Sequence, residues 1–189
     1  MKDYPQVQVE HHSFALAVDV NDISRMFGDA TSGKTEIMGH WEAAASHPDG
    51  EPINVALMRS RTFPYPHSMP GLLACKAAEF QGGMPAYWDM FDRVQHAHAI
   101  EALNIADREV LRNCVKEIGL DVVRWENDYQ NPNTKQAVEH DLQEAQQMGI
   151  KAVPTLIFNH QWILPGAVSE SDLRRVVNKL LAERDPSSG

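Results

Sequence analysis

The alternation of apolar and polar residues predicts a strand near the start of the chain. Val7, Val9 and His11 occupy every second position, and polar residues stand between them. A period of two places successive side chains on opposite faces of a strand. We therefore expect a strand over Val7–Phe14.

Two further segments precede a long helical region. A helix is predicted to begin near Gly33, to cover Thr35–Ala45 and to end at Asp49-Gly50. Residues 53–67 contain two prolines and are predicted to be extended or irregular.

Between Ser68 and Met148 the apolar residues recur at helical spacing, and glycines mark the breaks. The predicted helices are Met69–Phe80, Pro85–Ile100, one capped by Asp107 and ended by Gly119, Leu120–Tyr129 and Thr134–Met148.

The last forty residues differ in character. Strands are predicted over Val153–Phe158 and Trp162–Leu164, joined by a tight turn at Asn159-His160. Ser169 is predicted to cap a final helix that ends near Glu183. This order of elements indicates a mixed α and β fold.

Pro154 stands at the head of an apolar strand, where it removes a backbone donor. The position is understandable if the Val153–Pro154 peptide is cis, because retained cis prolines usually have a local purpose. We expect a cis bond that faces a site, and a purely structural cis proline is the alternative.

Several segments together resemble one known family. Gly149–Asn159 is similar to the cis-proline loop of thioredoxin-fold proteins. Gly166-Ala167, Ala74–Gly83 and Asn104–Asp107 are similar to the cytoplasmic, DsbA-like (FrnE-type) thiol–disulfide oxidoreductases. The resemblance extends from Tyr4 to about Ala182.

The resemblance implies an α/β, thioredoxin-like fold with an inserted helical domain. Residues 1–66 would be its N-terminal part and linker, 67–148 the helical insertion, and 149–189 its C-terminal part. Relative to the family, the first strand and first helix are missing, and residues 1–5 look like the end of that helix.

The resemblance also implies the chemistry. In the family, a Cys-x-x-Cys motif at a helix N-terminus supplies a thiolate that exchanges with disulfides. The residue before the cis proline pairs with the extended substrate. Val153 and Pro154 are thus the expected substrate-binding residues, and the catalytic residues are unknown because the motif is absent from this chain.

The expected function is thiol–disulfide exchange or isomerisation on protein or small-molecule partners, with no cofactor, and this shortened chain is expected to be inactive. Two alternatives stay open: a non-catalytic peptide-binding module, and a relative of the glutathione-dependent isomerases and kappa-class transferases, which use a serine at the missing position.

Cys75 and Cys114 lie far apart in sequence and form no motif. Cys114 falls on the apolar face of its predicted helix, so we expect its thiol to be packed in a core. Buried free cysteines are common, and we expect Cys75 to be buried as well. The absence of a disulfide framework fits a reducing cytoplasm.

Residues Gly28–Thr35 match the phosphate-binding P-loop pattern, which requires a buried strand before it. The preceding residues are too polar for that strand. A glycine turn followed by a helix start is therefore the favoured interpretation.

The 189-residue chain has 17 basic and 26 acidic residues and a net charge of −9. That balance argues against nucleic acid and anionic membranes as partners. The pairs His11-His12 and His96/His98 lack further ligands at zinc spacing, so no metal site is expected.

A missing central strand would leave backbone groups unpaired on Val7–Phe14 and Val153–Phe158. We therefore expect a homodimer, a gap filled by another chain, or low stability. We also expect the reading frame to continue upstream of Met1 and to encode the Cys-x-x-Cys segment.

Overall fold

Helices dominate the computed structural model, which describes residues 3–46 and 52–184. The chain forms two compact units, Met1–Ala145 and Gln146–Gly189. The described elements are α1 (Asp22–Phe27), α2 (Ala30–Ala45), α3 (Val55–Ser60), α4 (Met69–Ala99), α5 (Arg108–Glu117), α6 (Val122–Gln130), α7 (Pro132–Gln147), β1 (Thr155–Phe158), β2 (Trp162–Pro165) and α8 (Glu170–Arg184).

Capping side chains set the ends of the middle helices. The Asp107 carboxylate accepts the backbone N–H of Glu109 at 2.8 Å and begins α5. Gly119, with φ +77°, follows the end of that helix, and Asp121 caps α6. These helices were predicted correctly because their end signals are local.

Helix α4 changes direction at Gly83. This residue has φ +68° and ψ −164°, a conformation open to glycine and strained for residues with a Cβ. The two predicted helices, Met69–Phe80 and Pro85–Ile100, are therefore the two arms of one kinked helix.

The main core of the first unit lies between α4, α5 and α6. Trp125 is fully buried, and its indole N–H donates to the Ala74 carbonyl at 3.1 Å. The bond satisfies the one polar atom of the side chain inside an apolar cluster. A second cluster contains Met38, Met58 and Ala102.

The predicted strand over Val7–Phe14 is wrong. The segment runs without helix, strand, turn or bend. A strand requires a hydrogen-bonded neighbour, and no part of the described chain pairs with this segment. The alternation still has a consequence, because His11 and Ser13 point towards the helices while Glu10 and His12 are exposed.

The expectation of an irregular segment over residues 53–67 is wrong in part, because α3 lies within it. The side chain of Asn54 accepts the N–H of Leu57 at 3.1 Å and starts this short helix. The prolines that suggested irregular structure come after α3 ends.

The second unit contains a hairpin and a helix, as predicted. Leu156 pairs with Leu164 and Ile157 with Ile163 in the antiparallel ladder. Three residues, Asn159–Gln161, join the strands, since Phe158 pairs with Trp162. Asn159 has φ +51° and His160 has φ +57°, and the Gln161 N–H donates to the Phe158 carbonyl at 3.0 Å, so the chain reverses in a tight turn.

Helix α8 begins after the predicted cap, since Ser169 Oγ accepts the N–H of Asp172 at 3.1 Å. Met1-Lys2, Asp49-Gly50 and Ser187–Gly189 lie outside the described residues. Asp3–Pro5 are not helical, which corrects the expectation that residues 1–5 end a helix.

Asp141, a buried residue of α7, holds the N-terminal segment in place. Its Oδ2 accepts the Ser13 N–H at 2.8 Å and lies 3.2 Å from the Lys76 ammonium. Its Oδ1 lies 3.4 Å from His12 Nδ1. One carboxylate thus ties the N-terminal segment to α4 and α7.

We predict that Asp141→Ala lowers the free energy of unfolding by about 2–4 kcal/mol, because it leaves a buried cation and a backbone N–H with fewer partners. Urea unfolding followed by circular dichroism measures the change. Asp89→Asn, an exposed substitution on α4, is the control and should change stability by less than about 0.5 kcal/mol. Equal stability of the wild-type and Asp141→Ala chains would contradict the role given to Asp141.

Candidate functional site

The loop before β1 places the two expected substrate-binding residues at the surface. The Val153–Pro154 peptide is cis, as the sequence predicts. Val153 is 48% exposed, and Pro154 is exposed as well. The hydroxyl of Thr155 donates to the Ala152 carbonyl at 2.8 Å, and the Gly166 N–H donates to the Pro154 carbonyl at 2.8 Å. The loop is therefore fixed from both sides while its outer face stays open.

Strand β1 has a free edge. Among the described residues it pairs with β2 alone, so the backbone groups on its other side have no strand partner. Apolar side chains around it are also accessible, since Ile157 is 40% exposed and Ile163 is 45% exposed. An extended polypeptide can add to such an edge through main-chain hydrogen bonds.

The two cysteines lie in separate helices of the core, as predicted. Cys75 in α4 and Cys114 in α5 are free and buried. Burial raises the pKa of each thiol above its usual value. Because the thiolate is the reactive form, neither residue is suited to attack a disulfide.

The P-loop pattern over Gly28–Thr35 forms a helix start, and the structural interpretation is confirmed. The Asp29 carboxylate accepts the N–H groups of Thr31 and Ser32, at 2.8 Å and 2.9 Å, so these amides are already engaged. The Lys34 ammonium donates to backbone carbonyls of the segment after α3. The groups that would bind phosphate are thus used within the chain.

His11 is packed among aromatic rings. Its ring centroid lies 4.8 Å from that of Tyr87, 4.8 Å from Trp88 and 4.4 Å from Phe91. Burial, followed by the nearby charge of Lys76, lowers the pKa of His11 to about 4. The imidazole is therefore neutral at neutral pH, and its Nδ1 has no hydrogen-bond partner in the described structure.

His98 is a second packed histidine. Its Nε2 lies 3.0 Å from the Tyr65 hydroxyl, and burial lowers the pKa of His98 to about 4. Over residues 3–46 and 52–184, no three histidine, cysteine or acidic side chains are grouped to hold a metal ion.

The sequence analysis missed a cleft of about 590 Å³ in the first unit. Its wall includes Gln8–His12 on one side and Lys76, Glu79 and Met84 of α4 on the other. The available signal was a lysine between Cys75 and Ala77, because a cation inside an apolar helical run requires nearby anions.

Lys76 is the central charge of this cleft. Burial alone would lower its pKa, but the hydrogen bond to Glu79 and the charge of Asp141 raise the pKa of Lys76 overall. Its ammonium lies 3.0 Å from Glu79 Oε2 and 5.4 Å from the centroid of the Tyr87 ring. The cation is therefore held by groups of this chain.

None of the described helices is long and apolar enough to cross a membrane.

A sequence model of the family described as Thioredoxin matches residues 13–167 of the chain.

Among curated proteins, the chain is 27% identical over 135 residues to the ClpXP adapter protein SpxH of Shouchella clausii. That alignment covers 67% of this chain and 45% of the adapter, so the chain spans less than half of the relative's length.

Two solved structures have similar folds. A putative protein disulfide isomerase from Nitrosomonas europaea superposes with a TM-score of 0.70 at 17% identity, covering 80% of this chain and 74% of the other. The cytosolic disulfide reductase DsbM from Pseudomonas aeruginosa gives 0.66 at 23% identity, covering 82% and 80%.

We predict that the chain loses stability as the pH falls from about 6.5 to about 4, in part through His11. The folded state favours the neutral His11 ring. The stability that this ring contributes is therefore fully present above the pKa of histidine in the unfolded chain, and it is lost as the pH falls and the ring must accept a proton. His11→Phe should flatten the pH dependence of the unfolding free energy by roughly 1–3 kcal/mol, allowing for partial solvent screening.

Urea unfolding at a series of pH values measures this effect. His40→Phe replaces an exposed histidine and should leave the wild-type profile in place. An unchanged slope in the His11→Phe chain would show that another group carries the acid sensitivity.

Proposed function

Because the chain belongs to the thioredoxin family, we propose that it serves thiol–disulfide exchange, as a relative of the DsbA-like branch, by docking an extended segment of a thiol- or disulfide-containing partner. The docking edge consists of Val153, Pro154 and β1. The open edge of β1, beside the exposed Val153–Pro154 loop, is the observation that carries the proposal.

The chemistry of exchange explains why such an edge is needed. A thiolate must approach one sulfur of a disulfide along the S–S axis, and a mixed disulfide then forms while the other sulfur leaves as a thiolate. A substrate segment paired with a fixed strand holds its sulfur in one orientation, and this positioning lowers the entropic cost of the reaction. Val153 supplies the backbone groups nearest to the proline.

Docking on this chain proceeds without turnover by its own sulfur atoms. Exchange needs an accessible thiolate, whereas Cys75 and Cys114 are both buried and have raised thiol pKa values. In this role the chain binds the substrate segment, and its two cysteines take no part in the exchange.

A non-catalytic, adapter-like role is the second candidate. The specific observation in its favour is the similarity to curated SpxH proteins, which are described as adapters of ClpXP. An adapter needs a docking edge and no reactive cysteine. For either role we propose a cytoplasmic location, in line with the cytosolic protein of similar fold from Pseudomonas aeruginosa.

We predict that S-carboxymethylated insulin B chain, an extended and thiol-blocked polypeptide, slows hydrogen exchange at the amides of Val153–Phe158. Val153→Pro removes one docking N–H and should weaken this binding about tenfold or more, because a strand addition of this length depends on few main-chain bonds. Fluorescence anisotropy of the labelled B chain measures the affinity.

Val168→Pro places the same ring in the loop between β2 and α8 and is the matched control. It should bind like the wild type. Equal binding by the Val153→Pro chain would contradict docking at this edge. If hydrogen exchange at the same amides slows as the protein concentration rises, without the B chain, the result would instead support the homodimer expected from the sequence. Sedimentation would verify that state.

We further predict that the 189-residue chain reduces insulin no faster than dithiothreitol alone, because both thiols are buried. Turbidity at fixed dithiothreitol concentration measures the rate, and the Cys75→Ala/Cys114→Ala chain is the reference. A wild-type rate clearly above that of the double variant would show that a buried cysteine becomes accessible and reacts.

A further inference from the structure

The backbone from Gln8 to His12 borders the cleft and is unpaired. No backbone hydrogen bond from any described residue reaches this run. Its flanks are anchored, because Val7 N–H donates to the Tyr4 carbonyl at 3.0 Å and Ser13 N–H donates to Asp141 at 2.8 Å. A run that is fixed at both ends and lacks turns presents its donors and acceptors in a constant arrangement.

Negative charge exceeds positive charge in and beside the cleft. The single positive charge of Lys76 is more than balanced by Glu79 at 3.0 Å and Asp141 at 3.2 Å. Glu10 adds a further negative charge, and its side chain is 68% exposed. Among the described residues, the ring of His12 lies 3.9 Å from the Glu10 carboxylate, a long contact that leaves the carboxylate open to a cation.

Apolar surface accompanies this charge. Val9 is 42% exposed on the unpaired run, and Met84 on α4 is half-buried in the opposite wall. A molecule bound in the cleft would therefore contact a free main-chain edge, the exposed Glu10 carboxylate and the apolar surface of Val9 and Met84. A β-strand with apolar side chains on one face and a basic side chain on the other matches that sequence of contacts.

We propose that the cleft along Gln8–His12 binds an extended polypeptide segment that carries a lysine or arginine between apolar residues. The segment pairs with the free backbone of Gln8–His12, and its cation lies against Glu10 and Glu79. Five residues of strand extend over roughly 16 Å, so a segment of about five or six residues fills the run.

Charge selects this occupant over two others. A second copy of the chain would bring another net charge of −9 against an acidic cleft. An acidic segment would place its carboxylates against Glu10 in the same way, and like charges in contact oppose binding. The basic segment is the one that both the backbone and the side chains favour.

The test uses two fluorescein-labelled peptides, Val-Arg-Val-Lys-Val-Thr and its acidic counterpart Val-Glu-Val-Asp-Val-Thr, with the full chain at low salt. The basic peptide should bind more tightly than the acidic one by at least about tenfold, and hydrogen exchange at the amides of Gln8–His12 should slow on binding. Glu10→Lys should weaken the basic peptide by about tenfold or more.

Glu36→Lys is the matched control, because it makes the same change of net charge at an exposed position on α2. It should weaken binding by less than about twofold. Equal losses in the two variants, or no protection of Gln8–His12, would overturn the proposal in favour of attraction by net charge alone. Equal affinity for both peptides would overturn the choice of a basic occupant.

The proposed site belongs to the first unit and the docking edge at Val153 to the second. The Val153→Pro chain should therefore bind the basic peptide like the wild type, and Glu10→Lys should leave binding of the insulin B chain unchanged. Protection of Gln8–His12 that grows with protein concentration, without peptide, would assign the cleft to a second copy and would overturn the proposal.

Discussion

The first unit depends on one buried carboxylate, that of Asp141. An isolated charge in this position would be strongly unfavourable, so its presence requires partners for each oxygen. Those partners come from two places, the N-terminal segment and α4, while Asp141 itself stands on α7. A segment that forms no ladder with another strand is thereby given a defined position, and His11 is brought against the aromatic side chains of α4.

Local signals account for most of the helical structure that was predicted correctly. Asp107 and Gly119 act within one helical turn, and so their effects can be inferred from a few neighbouring residues. The hairpin was equally predictable, because two apolar runs separated only by the short polar segment Asn159–Gln161 indicate a tight reversal of the chain. Cys114 fell on the apolar stripe of α5, and its burial followed from the helical period alone.

The predictions that failed depended on distant partners. Val7–Phe14 has the alternation of a strand, but a strand exists only where another pairs with it, and alternation carries no information on that point. The cleft was missed for a similar reason. Lys76 and Asp141 are separated by most of the helical region in sequence, and only the tertiary fold brings their charged groups to 3.2 Å. The Val153–Pro154 loop was found because its unusual feature, a proline at the head of a strand, is visible in the sequence itself.

The kink in α4 places an unusual restriction on two adjacent positions. A methyl group on Gly82 would lie 2.7 Å from the Cβ of Ala86, which is too short for two carbon atoms, and Gly83 has a backbone conformation that disfavours any side chain. The first position is limited by its neighbour and the second by its own dihedral angles, so no single compensating change relieves both. Substitution of either glycine is therefore expected to be poorly tolerated. Homologous chains can be expected to vary the length of either arm of α4 more readily than the two residues that join them.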